Sequence, residues 1–192
     1  MAVHLILALV LADRYGQYEL SLDNYDTSGL STITLPGQTP NGTAIWVSCC
    51  RESLVPCLET HKPIDLVVIM LGTNDLKVRF SVSAYDIASG AGVLVEIVQM
   101  SVTGPGDSAP TVLLIAPPPV AKLTGFAEMF EGAKPKSARF SAHYRCVAQE
   151  KGCEFLDTSK IIVSSDLDGI HLEAEEHAKL GKAVAALVKK TV

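Results

Sequence analysis

A chain of 192 residues with 48% hydrophobic and 19% charged side chains is long enough to bury one core and too apolar to remain disordered. Its 16 basic and 21 acidic residues leave a net charge of -5, so there is no positive field to gather nucleic acid or an anionic membrane, and neither is expected as a partner. Cys49, Cys50, Cys57, Cys146 and Cys153 are odd in number and contain no C-x-x-C pair, which argues against a disulfide framework and a zinc site and points to reduced thiols in the cytoplasm.

In chain order, the first apolar run is "LILALVLA", Leu5 to Ala12. No Lys or Arg precedes it and no clean cleavage site follows, so it does not read as a signal peptide, and it is too short to cross a bilayer. Asn41-Gly42-Thr43 matches a glycosylation acceptor, which carries no meaning in a cytosolic chain. Ile64 to Leu71, "IDLVVIML", is an apolar, β-branched run stopped by Gly72, as expected of a parallel strand covered on both faces. Ile87, Ala91, Leu94 and Val98 then recur at helical spacing. "TVLLIA", Thr111 to Ala116, is a second buried strand, halted by Pro117, Pro118 and Pro119. A loop through Gly125 and Gly132 leads to a helix with Phe140, Tyr144 and Val147 on one face and Gly152 as its stop. "CEFLDT" reads as a short strand. An amphipathic helix closes the chain, acidic at its start and carrying Lys189 and Lys190 at its end.

Strands alternating with helices of this length predict an α/β protein. The expected architecture is one three-layer α/β/α domain over residues 1–192, with a mostly parallel sheet and right-handed crossovers. In such sheets ligands bind beyond the carboxyl ends of the strands. Two polar clusters fall there. Asn74, in "GTND" (Gly72 to Asp75), presents an uncharged amide suited to an oxyanion hole, or it forms an Asx turn with Asp75 after the strand. Asp168 and His171, in "DLDGIH", are spaced so that the carboxylate can hold one imidazole nitrogen while the other acts as general base. The competing reading makes Asp168 the cap of the last helix with His171 packed beside it.

"VVIMLGTND" followed by "DGIH" resembles the third and fifth sequence blocks of the SGNH hydrolases, the GDSL esterases and lipases. The likeness runs from Glu52 to Val188 through "VPCLETHKPIDLVVIMLGTNDLK", "LLIAPPPVA" and "MFEGAKPKS", and is similar to the arylesterase and acyltransferase branch. It implies a flavodoxin-like fold and ester hydrolysis or acyl transfer through a serine acyl-enzyme. Asn74 would be an oxyanion donor, His171 the base and Asp168 its orienting and charge-stabilising partner. A small ester substrate, no cofactor, no metal and self-association into a homo-oligomer are further implications. A metal phosphoesterase built on Asp166, Asp168 and His171 would need a second cluster of carboxylates or histidines at the same sheet end.

The family's nucleophile is the serine of a Gly-Asp-Ser-Leu block ending the first, central strand. Gly-Asp-Ser occurs here at Gly106 to Ser108, after the Asn74 block instead of before it, and reads as a surface turn. In one reading of the N-terminus, Val3 to Arg14 is the family's first helix, "YELSLD" its second strand and Gly29 the oxyanion glycine; the central strand and its serine are then missing. In the other, "VHLILALVL" is itself the central strand, and Ala12 to Arg14 stand where Gly-Asp-Ser belongs. The first is preferred, because Leu and Ala favour helix and "LADRYG" ends like one. It predicts an unpaired strand edge with poor solubility, residues 1–50 atypical or incomplete, and a late start codon or shifted frame. Ser28 and Ser31, flanking Gly29, are weak replacements for the nucleophile. A catalytically inactive member that binds a ligand or partner is the alternative function.

Overall fold

The computed structural model describes the backbone of residues 5–12, 18–22 and 31–35 and the chain from 54 to 191, with side chains from 54 to 190. Its strands are β1 (Leu5–Ala12), β2 (Tyr18–Leu22), β3 (Ser31–Leu35), β4 (Leu66–Met70), β5 (Thr111–Ala116) and β6 (Glu154–Asp157). They form one sheet in the order β3-β2-β1-β4-β5-β6. β1, β4, β5 and β6 run parallel, and β2 and β3 extend the sheet as antiparallel strands. The helices are α1 (54–61), α2 (Ala84–Gln99), α3 (Ala133–Ser137), α4 (Phe140–Lys151) and α5 (Ala174–Thr191).

The N-terminal run corrects the preferred sequence reading. Leu5 to Ala12 is a strand, not a helix, paired in parallel with β4 from Leu5 opposite Leu66 to Leu9 opposite Met70. The helix preference of Leu and Ala is worth only tenths of a kcal/mol per residue. A strand placed between β2 and β4 instead supplies ladder partners along both of its edges. β4 is therefore paired on both sides, by β1 and β5, and the bare edge expected at its flank does not arise. The expected second strand, "YELSLD", is β2.

The period-two pattern of β4 divides the core. Val67 and Ile69 face a cluster with Leu94 and Val95 of α2 and with Phe140 and Tyr144 of α4. Leu66, Val68 and Met70 face the opposite cluster, which holds Leu180 of α5. Helices thus cover both faces, giving the three layers. α2 begins with a capping box in which the Ser83 hydroxyl accepts from the Asp86 amide and the Asp86 carboxylate accepts from the Ser83 amide. α4 ends at Gly152 as expected.

Candidate active site

The parallel strands β4, β5 and β6 deliver three loops to one end of the sheet. Beyond β4 the chain turns at Gly72, whose φ is +121°. A Cβ there would strike the Tyr144 hydroxyl and lie 2.8 Å from Ile87 Cγ2, so the turn admits only glycine. Tyr144, fully buried, donates its hydroxyl proton to the Leu71 carbonyl at 2.5 Å. This ties the end of β4 to α4 and fixes where the next residues emerge. Asn74 then opens a short 3-10 turn, Asn74–Leu76, with no side-chain cap at Thr73. Asn74 is 9% exposed, which suits a donor shielded from bulk water.

The charged neighbours of Asn74 are shifted toward neutrality. Burial pushes the Asp75 carboxyl up to about 6, against its own backbone hydrogen bond and the nearby Lys77 charge. Lys77, also buried, is pushed down to about 8, first by burial and then by Arg79, with Asp75 opposing. Its Nζ lies 5.8 Å from the centre of the Phe130 ring.

The turn after β6 is built the opposite way, around a charge. Asp168 Oδ1 accepts the amide protons of Ile170 (2.8 Å) and His171 (2.9 Å), and Oδ2 lies 2.6 Å from His171 Nδ1. Burial pushes Asp168 up, but the donors from His171 and Ile170 outweigh it and hold the carboxyl below its ordinary range. Asp168 therefore spends its carboxylate on Ile170 and His171 and does not cap α5, which begins at Ala174. The carboxylate thus engages Nδ1, and Nε2 is the second nitrogen of the ring. Gly169, at φ +84°, permits this turn, and a Cβ on it would meet the Lys122 carbonyl at 2.7 Å.

The loop after β5 joins the two clusters. Gly169 accepts from the Ala121 amide at 2.9 Å, and the Thr124 hydroxyl donates to the Leu167 carbonyl at 2.7 Å. The Phe126 ring sits edge-on to His171 at 6.2 Å and to Phe130 at 6.4 Å. An aromatic path thus leads from His171 to the ring beneath Lys77, three residues after Asn74.

Gly106 to Ser108 lies at the amino end of β5, in a 3-10 turn whose Ser108 hydroxyl donates back to the Pro105 carbonyl; it is a surface turn, as read. Ser28 and Gly29 lie outside the described residues. Ser31 opens β3 at the sheet's outer edge, three strand spacings, roughly 14 Å, from β4. The thiols of Cys57 and Cys153 are pushed up by burial, which suits packing and not nucleophilic chemistry. Among the described residues no group of three His, Cys, Asp or Glu could hold a metal ion, and no helix is long and apolar enough to cross a membrane. Sequence reasoning passed over Tyr144 as a site residue and did not single out Lys77, Ser165 or Glu173, although "LK" directly follows "GTND".

Two polar clusters at the carboxyl ends of a mostly parallel sheet, one offering a buried amide and one a carboxylate-held histidine, define an α/β/α protein with a candidate hydrolytic site. The profile of the GDSL-like Lipase/Acylhydrolase family matches residues 8–179. The chain is 39% identical to the aryl esterase of M. smegmatis, covering 73% of this chain and 67% of that one with a TM-score of 0.69. It is 35% identical to Est24, a carbohydrate acetylesterase from Sinorhizobium meliloti, over 90% of this chain and 74% of that one, TM-score 0.69. A GDSL-like lipase from Bacteroides thetaiotaomicron shares the fold at 16% identity, with 79% of this chain and 73% of that one covered and a TM-score of 0.61. Among curated proteins none matches. The chain belongs to the GDSL-like lipase/acylhydrolase family, a family of esterases and acylhydrolases.

Proposed function

We propose that this protein carries the base and oxyanion parts of an ester hydrolase that works through an acyl-enzyme. The observation that carries the reading is the 2.6 Å contact between His171 Nδ1 and Asp168 Oδ2 on a turn at the same sheet end as Asn74. His171 Nε2 takes the proton of an attacking serine and returns it to the leaving alkoxide. Asp168 sets the tautomer and stabilises the imidazolium. Asn74, with Gly29 as its backbone counterpart, stabilises the tetrahedral oxyanion. Small acyl or aryl esters are the substrate class, in keeping with the aryl and acetyl esterases that the chain resembles, and a second alcohol in place of water would give acyl transfer. Neither metal nor cofactor enters these steps. The free thiols of Cys57, Cys146 and Cys153 fit a reducing, cytoplasmic setting, and self-association belongs to the same reading.

The nucleophile is unassigned, with Ser28 and Ser31 as weak candidates. One observation favours a second reading, a member that binds an ester-like ligand without turnover. β1 lies beside β4 and its carboxyl end runs into Asp13 and Arg14, where no serine stands. Intact mass after incubation with a fluorophosphonate separates the two. A single adduct that vanishes in His171→Ala establishes the enzyme, and peptide mapping identifies the serine. Folded protein that binds esters but takes no adduct establishes the binder.

A further inference from the structure

Ser165 is 4% exposed and bonded at four points to the turn that carries Asp168 and His171. Its amide donates to the His171 carbonyl at 2.6 Å, and its carbonyl accepts from the Gly169 amide at 2.8 Å. Its hydroxyl accepts from the Leu167 amide at 3.1 Å and donates to the Glu173 carboxylate, just ahead of α5. One residue thus gathers positions 167, 169, 171 and 173 around the intervening Asp168. The hydroxyl proton is committed to Glu173, so Ser165 is not the missing nucleophile.

We infer that Ser165, anchored by Glu173, is the positioning residue of the Asp168–His171 pair. The inference rests on the reading of that pair as a working base and its orienter. The two backbone bonds close the turn in any variant at 165. The hydroxyl adds the lateral tie: it satisfies the Leu167 amide next to Asp168 and pins that leg to the segment entering α5. Without it the Leu167 amide loses its partner, and the donors converging on Asp168 lose their aim.

The test is a carbon-detected NMR titration of the Asp168 carboxyl in the full chain, compared with Ser165→Ala, Glu173→Ala and Glu173→Gln. The amides of Ile170 and His171 and the His171 ring hold that carboxyl low, so loosening them moves its midpoint up. The rise expected in Ser165→Ala and Glu173→Ala is about half a pH unit, about threefold in proton affinity. Loss of the Glu173 charge by itself moves the midpoint down, so a rise in Glu173→Ala reports lost alignment. Glu173→Gln, whose amide oxygen still accepts the Ser165 proton, stays at or below the wild-type midpoint. A role confined to stability would lower Tm and leave the midpoint in place. An unmoved midpoint in Ser165→Ala and Glu173→Ala overturns the inference. Should Ser165→Ala fail to fold, Glu173→Ala decides, because Glu173 is exposed. No turnover is needed, so failure of the esterase reading under fluorophosphonate leaves this result legible by itself.

Discussion

The loop after β4 and the turn after β6 hold one carboxylate each beside a proposed catalytic group, and they move those carboxylates in opposite directions. Asp75, next to Asn74, is pushed up to about 6 by burial; Asp168 is held below its ordinary range because three donors outweigh its burial. The first environment disfavours charge and is built by packing, with Tyr144 and Gly72 fixing the backbone. The second keeps a charge and is built by hydrogen bonds. An oxyanion donor benefits from low polarity, which lets its dipole act on the developing charge with less screening. A base needs a fixed negative partner for the imidazolium it becomes. The difference between the regions matches the two tasks assigned to them.

The largest expected effect comes from removing the charge of the second region. Asp168→Asn keeps the shape of the turn but can no longer balance an imidazolium, so labelling by fluorophosphonate or ester turnover falls by about 10^3 to 10^4. A loss under tenfold would show that Asp168 does not work through His171. On the other side, Asn74→Ala removes the neutral amide proposed as the oxyanion donor. It lowers kcat by about 10^2 to 10^3 with KM nearly unchanged. A rise in KM at constant kcat would make Asn74 a ground-state contact and undo the contrast.

How much of this was legible in the sequence follows the same division. The hydrogen-bonded turn is local: Asp168 and His171 are three residues apart, and their spacing announced the pair. The packed loop is not. The bond that fixes it joins Leu71 to Tyr144, 73 positions apart, and a tyrosine on an apolar helix face reads only as core. Ser165 and Glu173 were hidden because serines and glutamates near a helix start have many ordinary uses. β4 and β5 announced themselves by apolar runs rich in β-branched residues and ended by glycine or proline. β1 did not, because a run of Leu and Ala fits helix and strand alike and its pairing with β4 decides the matter.

Tyr144→Phe sharpens the comparison with an intermediate effect. It leaves the ring in its pocket and deletes the proton given to the Leu71 carbonyl. With that carbonyl unsatisfied at the end of β4, stability falls by about 2 kcal/mol in denaturant melts. Because the lost bond ends on Leu71 and the donors to Asp168 come from Ile170 and His171, the Asp168 midpoint stays put. Movement of that midpoint would mean that the two regions are coupled more tightly than the contact path through Phe126 and Phe130 implies.

The smallest effect is on the pH dependence of stability, and it carries opposite signs in the two regions. Asp168 has a folded pKa below its unfolded value, so its contribution is present above about pH 4 and is lost as pH falls through the lowered value. Asp75 has a folded pKa of about 6 against an ordinary value of 3.8. Between these values the native state holds a proton that the unfolded state has released, so stability declines as pH rises through the window and the cost is complete above it. Asp75→Asn removes that cost. The variant is expected to match the wild type below about pH 4 and to exceed it by about 1 kcal/mol at pH 7, with the gap opening between. Lys77 sets a bound on the gain, because it loses a counter-charge that favours its ammonium. Urea midpoints measured at pH 4, 5, 6 and 7 read this directly. A variant less stable than wild type at pH 7 would show that the Asp75 charge is held by a compensating partner, and that the loop after β4 is, like the turn after β6, built around a charge.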